Sequence, residues 1–258
     1  MAVKNVSDIT LSGGITHPVK RGHHGILYGV GIGPGDPELL TLKAIRVLKE
    51  VDIIAVPKSK TDGESIALDI LKGVMDLHGK EIIELTFPMK KNRDELAASW
   101  NNAKDEVLKQ LDIGKDVAFI TIGDPLLYST FIYLMEALKN NGGSGIKIKI
   151  VPGISSVNAA SASACIPLAN SSERLAIIPA TYEEDKLRQT LKDFDTVVLM
   201  KVNKVMDKVI PLLEELGLKK NAIFVSMAGW KEQEVVKDLD TLKGRELDYF
   251  SIMIIKKS

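Results

Sequence analysis

From Gly25 onward the chain alternates between short runs rich in β-branched residues and longer runs whose apolar positions recur every three or four residues. That alternation predicts strand-helix-strand units around a parallel sheet. Residues 25–32 read as a first strand. Residues 37–50 read as a helix carrying Leu39, Leu40, Leu42, Ala44, Ile45, Val47 and Leu48, with Asp36 placed to cap it and Pro37 at its first position. Strands over 51–56, 82–87, 116–121 and 146–151 then alternate with helices over 64–77, 94–111, 126–140 and the small-residue stretch 155–164.

After Pro167 the pattern changes. Residues 175–180, 196–201, 222–228 and 249–256 read as strands, the first three separated by helices of about ten residues, and 234–242 fits a hairpin arm. Pro167 and the polar run Asn170-Ser171-Ser172 mark a boundary. The expected organisation is two α/β domains, 25–168 with a mostly parallel sheet and 173–258, with an active-site cleft between them. Residues 1–24 are polar and without periodicity, and read as a poorly ordered extension.

Composition narrows the classes. The chain has 258 residues, 45% of them hydrophobic, enough for a packed core. Its 34 basic and 34 acidic side chains cancel, which argues against nucleic acid or a membrane surface as partner. Cys165 is the single cysteine, so a disulfide framework and a cysteine-rich zinc site are excluded and a reducing, cytoplasmic setting is expected. There is no apolar run of spanning length, nor the apolar stretch of a signal peptide. His17, His23 and His24 cluster near the start without a carboxylate or cysteine at ligand spacing, so they are read as surface residues and no protein-bound metal is expected.

The candidate chemistry lies in three glycine turns. Gly29-Val30-Gly31-Ile32-Gly33-Pro34-Gly35-Asp36 ends a strand and opens a helix, as a dinucleotide-binding turn does. The fingerprint requires a third glycine where Asp36 stands, and a carboxylate there would repel a pyrophosphate at the helix N-terminus. No Gly-Lys-Ser/Thr follows, which excludes a P-loop. Thr121-Ile122-Gly123-Asp124-Pro125 and Val151-Pro152-Gly153-Ile154-Ser155-Ser156 occupy the same strand-to-helix position, so all three turns fall at the carboxyl edge of the sheet, where open α/β folds bind ligands. Four glycines within seven residues of the first turn imply close approach by a ligand or by another stretch of backbone, and three glycine turns at one edge are hard to explain by folding alone.

Gly31-x-Gly33-Pro34-Gly35-Asp36-x-x-Leu39-Leu40-Thr41-x-x-Ala44, followed by Gly123-Asp124-Pro125 and Val151-Pro152-Gly153-Ile154-Ser155-Ser156, resembles the tetrapyrrole methylases, the class III methyltransferases of cobalamin and sirohaem synthesis. The resemblance runs from about residue 25 to the end of the chain. Within the family, residues 123–130 and Val56-Pro57-Lys58-Ser59 are most similar to the members that methylate C20 of a corrin precursor, precorrin-2 or cobalt-factor II. The resemblance implies S-adenosylmethionine folded in the cleft against Pro34, Ile122, Gly123, Asp124, Leu127, Ser155, Ser156, Met200 and Ala228, and a homodimer. Asp124 also fits a helix cap ahead of Pro125, and Met200 also fits an ordinary core position.

Uroporphyrinogen methylases of the family carry an aspartate, proposed as a base, just after the second strand; here Pro57-Lys58 takes that place. Catalysis by positioning is therefore expected, with no base assigned. A substrate rich in carboxylates calls for cations, for which Lys58 and Lys60, and Lys90, Lys91 and Arg93, follow strands at the ligand edge. Tyr128 and Tyr28 are weaker candidates for contacts to the ring, Trp230 for covering the cofactor, and His78 for a surface cap. The same motifs leave open methylation at another ring carbon and a non-catalytic module that only binds these ligands.

Overall fold

The computed structural model describes residues 24–58, 65–87, 93–140, 145–180 and 183–257. The first layer comprises β1 (Ile26–Gly31), α1 (Leu42–Glu50), β2 (Ile53–Lys58), α2 (Ile66–Lys72), β3 (Glu81–Thr86), α3 (Arg93–Asp112), β4 (Val117–Thr121), α4 (Thr130–Asn140) and β5 (Lys147–Val151). Its five strands pair in the order β3-β2-β4-β1-β5, and every pairing is parallel. A parallel sheet must be covered on both faces. Val30, Ile32, Ile54, Val56, Ala118 and Ile120 pack on one side under α1 and α2, while Leu27, Ile53, Ala55, Val117 and Phe119 pack on the other under α3 and α4. The near-continuous burial of β1, β2 and β4 follows from that double cover.

The order matters for the site. It sets β1 between β4 and β5, so the three glycine turns leave adjacent strands at one edge.

Helix boundaries differ from the periodicity in three places. The expected helix 37–50 is divided into a 3₁₀ turn, Pro37–Leu39, and α1, because the Thr41 hydroxyl accepts the Ala44 N–H and restarts the helix. Asp36 caps the first piece through Glu38 N at 2.8 Å. The expected helix 64–77 closes at Gly73, and the chain folds back to bury Met75. The helix expected from 126 begins at Thr130, since the buried Ser129 hydroxyl accepts the Phe131 N–H and donates to Thr121 Oγ1 at 3.1 Å.

The second layer holds β6 (Leu175–Pro179), α6 (Glu184–Asp193), β7 (Thr196–Met200), α7 (Met206–Glu215), β8 (Ala222–Ser226), β9 (Glu234–Val236) and β10 (Ser251–Lys256). Its order is β6-β7-β10-β8-β9, with only β6 and β7 parallel. The hairpin arm over 234–242 is a three-residue strand followed by a 3₁₀ turn, Leu239–Leu242. α6 and α7 cover one face through Leu187, Leu191, Val209 and Leu213. The other face is covered by α5 (Ser156–Ala164), whose Val157, Ala159 and Ala160 pack on Val198, Val225, Ile252 and Ile254.

α5 thus follows the last strand of the first sheet yet packs on the second, which explains its small residues: a helix of serine and alanine lies close to a sheet. The boundary expected after residue 168 falls beyond this helix, which already joins the layers.

Candidate binding cleft between the layers

The three turns are tied to one another by main-chain groups. Gly123 N–H donates to Gly33 O at 2.7 Å, and Ile32 N–H to Thr121 O at 3.0 Å. Asp124 extends the tie: Oδ1 accepts Leu126 N–H at 2.9 Å and Oδ2 accepts Gly153 N–H at 3.1 Å. The carboxylate therefore clamps the second turn to the third, in place of a simple cap on α4.

The glycines are explained by protein neighbours. A methyl group on Gly31 would stand 2.5 Å from Gly123 O and 2.6 Å from Gly153 Cα, so the turns fit together only without side chains. Gly35, at φ +150°, would collide with the Trp230 indole. Gly123 is required by its φ of +76°, with no neighbour pressing on it.

From the second layer, Met200 and Lys201 at the end of β7, Val225 and Ala228 at the end of β8, and Tyr249 to Ile252 entering β10 face these turns across a cavity that opens to solvent. All nine positions expected to line a cofactor site border this one cavity: Pro34, Ile122, Gly123, Asp124, Leu127, Ser155, Ser156, Met200 and Ala228. Tyr128 and Trp230 border it as well. The Ser155 hydroxyl accepts Asn158 N–H and donates to Asn158 Oδ1 at 2.6 Å, so it caps α5, and the main-chain N–H groups of that first turn, with the Ser156 hydroxyl beside them, remain to offer an anion.

Two aromatic side chains brace the cleft in opposite directions. Trp230, from the second layer, donates Nε1–H to Pro34 O at 2.9 Å. Tyr128, from the first, donates its hydroxyl to Ile177 O at 2.9 Å. Trp230 also stacks near Phe250, with ring centroids 5.9 Å apart. Three non-glycine residues in left-handed backbone stand on this wall or beside it, Tyr128 (φ 53°), Lys201 (φ 59°) and Met227 (φ 51°). Such conformations persist where surrounding contacts impose them, and they concentrate at functional sites.

Other candidates lie elsewhere. Lys58 does not border the cavity: its ammonium pairs with Glu84 Oε1 at 2.7 Å and its side chain is only 12% exposed. Pro57 and Lys58 are the last two residues of β2, within the strand instead of after it. Proline is tolerated there because the β2–β4 ladder ends at Ala55. Lys60, Lys90 and Lys91 lie outside the described residues, as do the Arg93 side chain and the first two of the clustered histidines, His17 and His23. His24 meets Asp112 at 3.0 Å. Tyr28 packs on the first core beneath the Lys149 ammonium, away from the cavity. His78 stands beyond α2, exposed, its N–H on Asp76, and caps no helix.

Lys201, Val225, Tyr249, Phe250, Ser251 and Ile252 also line the cavity, and the sequence singled out none of them. An aromatic pair just before the last strand was the available signal. The antiparallel pairing of β10 between β7 and β8 is what carries it to the cleft.

Two packed layers, with glycine turns of one and strand ends of the other meeting at a cleft, define a two-layered α/β protein with an open cavity between its layers. The chain belongs to the tetrapyrrole (corrin/porphyrin) methylases, whose family model matches residues 26–243. A probable cobalt-precorrin-2 C(20)-methyltransferase of Methanocaldococcus jannaschii is 42% identical over 236 residues, covering 90% of this chain and 96% of that protein. The cobalt-precorrin-2 C(20)-methyltransferase of Salmonella typhimurium is 34% identical over 235 residues, covering 91% and 97%. Among solved structures, the uroporphyrin-III C-methyltransferase of Thermus thermophilus, complexed with S-adenosylhomocysteine, matches with a TM-score of 0.63 at 22% identity, covering 90% of this chain and 98% of that one. Among the described residues, no helix is long and apolar enough to cross a membrane.

Proposed function

We propose that this protein transfers a methyl group from S-adenosylmethionine to C20 of precorrin-2 or of its cobalt-containing counterpart, cobalt-factor II, in corrin ring synthesis. The observation that carries the reading is the convergence of Pro34, the Ile122 to Asp124 turn, Leu127, Ser155, Ser156, Met200 and Ala228 on one cavity in a chain of this family. The relatives' substrates favour the C20 position.

The residues present fit such a donor. Apolar side chains, Leu127, Met200, Val225 and Ala228, offer a wall for a nucleoside, and the N–H groups at the start of α5 offer donors to a carboxylate. Bound there, S-adenosylmethionine would supply an electrophilic methyl on a sulfonium. The chain's part is positioning. The three interlocked turns fix one wall, and the Trp230 and Tyr128 ties fix its distance from the other. A carbon–carbon bond forms as the sulfur–carbon bond breaks, the electron pair stays on sulfur, and the proton leaves the meso carbon afterwards. An electron-rich ring carbon needs alignment more than a base, in keeping with the proline and the paired lysine at the end of β2.

Mass spectrometry of product from metal-free and cobalt-containing substrates tests reaction, position and metal together. A gain of one methyl at C20 on either is expected; methylation at another carbon, or binding without turnover, would defeat the proposal. Replacing Asp124 with alanine removes the acceptor of Gly153 N–H and should weaken donor binding by about tenfold in calorimetry. Unchanged affinity would remove the Asp124 clamp from the site.

A further inference from the structure

Among the described residues, two charged side chains border the cavity, Asp124 and Lys201. Both oxygens of Asp124 already accept main-chain N–H groups. Lys201 is in the opposite condition. Among the described residues no carboxylate pairs with it, and its ammonium instead lies 6.0 Å from the Tyr249 ring centroid. Other partly exposed lysines find protein acceptors: carboxylates for Lys58 (Glu84), Lys219 (Glu214 and Asp240) and Lys256 (Glu173), main-chain carbonyls for Lys80 and Lys257.

The main chain fixes where Lys201 stands. Its N–H donates to Ser251 O at 3.2 Å, tying the end of β7 to the start of β10. Its backbone, at φ 59° and ψ 40°, lies in the left-handed region that glycine occupies freely and a side-chain-bearing residue does not. A half-buried ammonium in a cleft that is largely apolar, with no anion of its own, is a receptor for an anion supplied by the ligand.

We propose that Lys201 binds a carboxylate of the ligand pair, through a charge-assisted hydrogen bond from its ammonium. The inference rests on the methyl-transfer reading and adds to it a recognition residue. The carboxylate has two sources, the amino-acid end of the methyl donor and the acid side chains of the tetrapyrrole.

The full-length protein and its Lys201→Gln, Lys201→Arg and Lys201→Gly variants separate them. Donor affinity is measured by calorimetry with S-adenosylmethionine and with its decarboxylated analogue, and the tetrapyrrole KM and kcat by steady-state methyl transfer. Lys201→Gln is expected to weaken one of the two ligands by about ten- to a hundredfold, leaving kcat at saturation within about threefold. A weakened tetrapyrrole KM assigns the substrate's carboxylate. Weakened donor binding, together with equal affinity of parent and variant for the decarboxylated analogue, assigns the donor's. Lys201→Arg should recover most of the loss in either case.

Lys201→Gly relieves the left-handed backbone, so its thermal midpoint should hold or rise while affinity falls. A falling midpoint in all three variants, with affinity lost in proportion, would make the residue structural and overturn the inference. So would unchanged binding of both ligands by Lys201→Gln. A parent protein that neither binds donor nor transfers methyl would instead overturn the methyl-transfer reading beneath it.

Discussion

The site edge of the first layer and the solvent side of the second are held by different means. The first layer is a five-stranded parallel sheet buried on both faces, and its site edge is made of main chain against main chain, with Gly31 and Gly153 set against each other and against Gly123 O where no side chain fits. The second is a mixed sheet ringed by ion pairs: Arg188 with Glu215, Lys219 with Glu214 and Asp240, Arg245 with Glu234, Lys256 with Glu173. Asp195, Glu215, Glu234 and Asp240 in that layer are all held below the usual carboxylate range. The Arg174 main-chain N–H acts first on Asp195, and the Arg188, Arg245 and Lys219 side chains act first on the other three. The contrast teaches that the binding edge is rigid by steric exclusion, whereas the solvent side of the second layer is held by exposed charge, which is worth little per pair.

The comparison breaks most severely at the glycine interlock. Gly153→Ala puts a methyl group against Gly123 O and within 2.8 Å of Gly31 Cα, so unfolding in urea should show a loss of about 3 kcal/mol. Gly217→Ala, in the second layer at φ +68° with open space around it, should cost only about 1 kcal/mol. Equal losses at the two positions would erase the distinction between the layers.

Next in size is the brace between them. Trp230→Ala removes the indole from Gly35 and its bond to Pro34 O, and should lose about 2 kcal/mol together with donor affinity. Gly35→Ala should reach the same state from the other side, displacing the indole and red-shifting its fluorescence. Tyr128→Phe keeps the ring and loses the bond to Ile177 O, an effect of about 1 kcal/mol by the same denaturation measurement.

The smallest effect is electrostatic and confined to the second layer. Lys219, then Lys243, lower the Asp240 pKa from 3.8 to about 2. A carboxylate depressed in the folded state contributes stability that is fully present above its ordinary value and is lost as pH falls through the folded one. Amide protection factors near Asp240, corrected for the intrinsic pH dependence of exchange, should therefore fall between about pH 4 and pH 2, and Asp240→Asn should remove that local acid sensitivity. Exchange at the glycine turns should not follow this titration.

Much of this molecule was legible in its sequence. Strand order along the chain, the three glycine turns and their common edge follow from hydrophobic period and turn chemistry, and the nine lining positions follow from resemblance. Helix starts were less legible, because Thr41 and Ser129 restart helices by hydroxyl caps inside runs that remain apolar on both sides. Lys58 read as a free cation because Glu84 comes beside it only through the β2–β3 register.

The sequence by itself determined the elements, the family and the need for close approach at Gly31, Gly35 and Gly153, since local period and missing side chains are properties of the chain. The tertiary structure decided what approaches those glycines: each other's backbone and the Trp230 indole. It also decided which charge faces the cleft. Lys201 is one of many lysines in the sequence, and only the antiparallel placement of β10 beside β7, with its tie to Ser251, brings it to the cavity with no carboxylate partner among the described residues. Long-range pairing carries no local signature, so such a residue is found by where the chain folds it and not by what surrounds it in sequence.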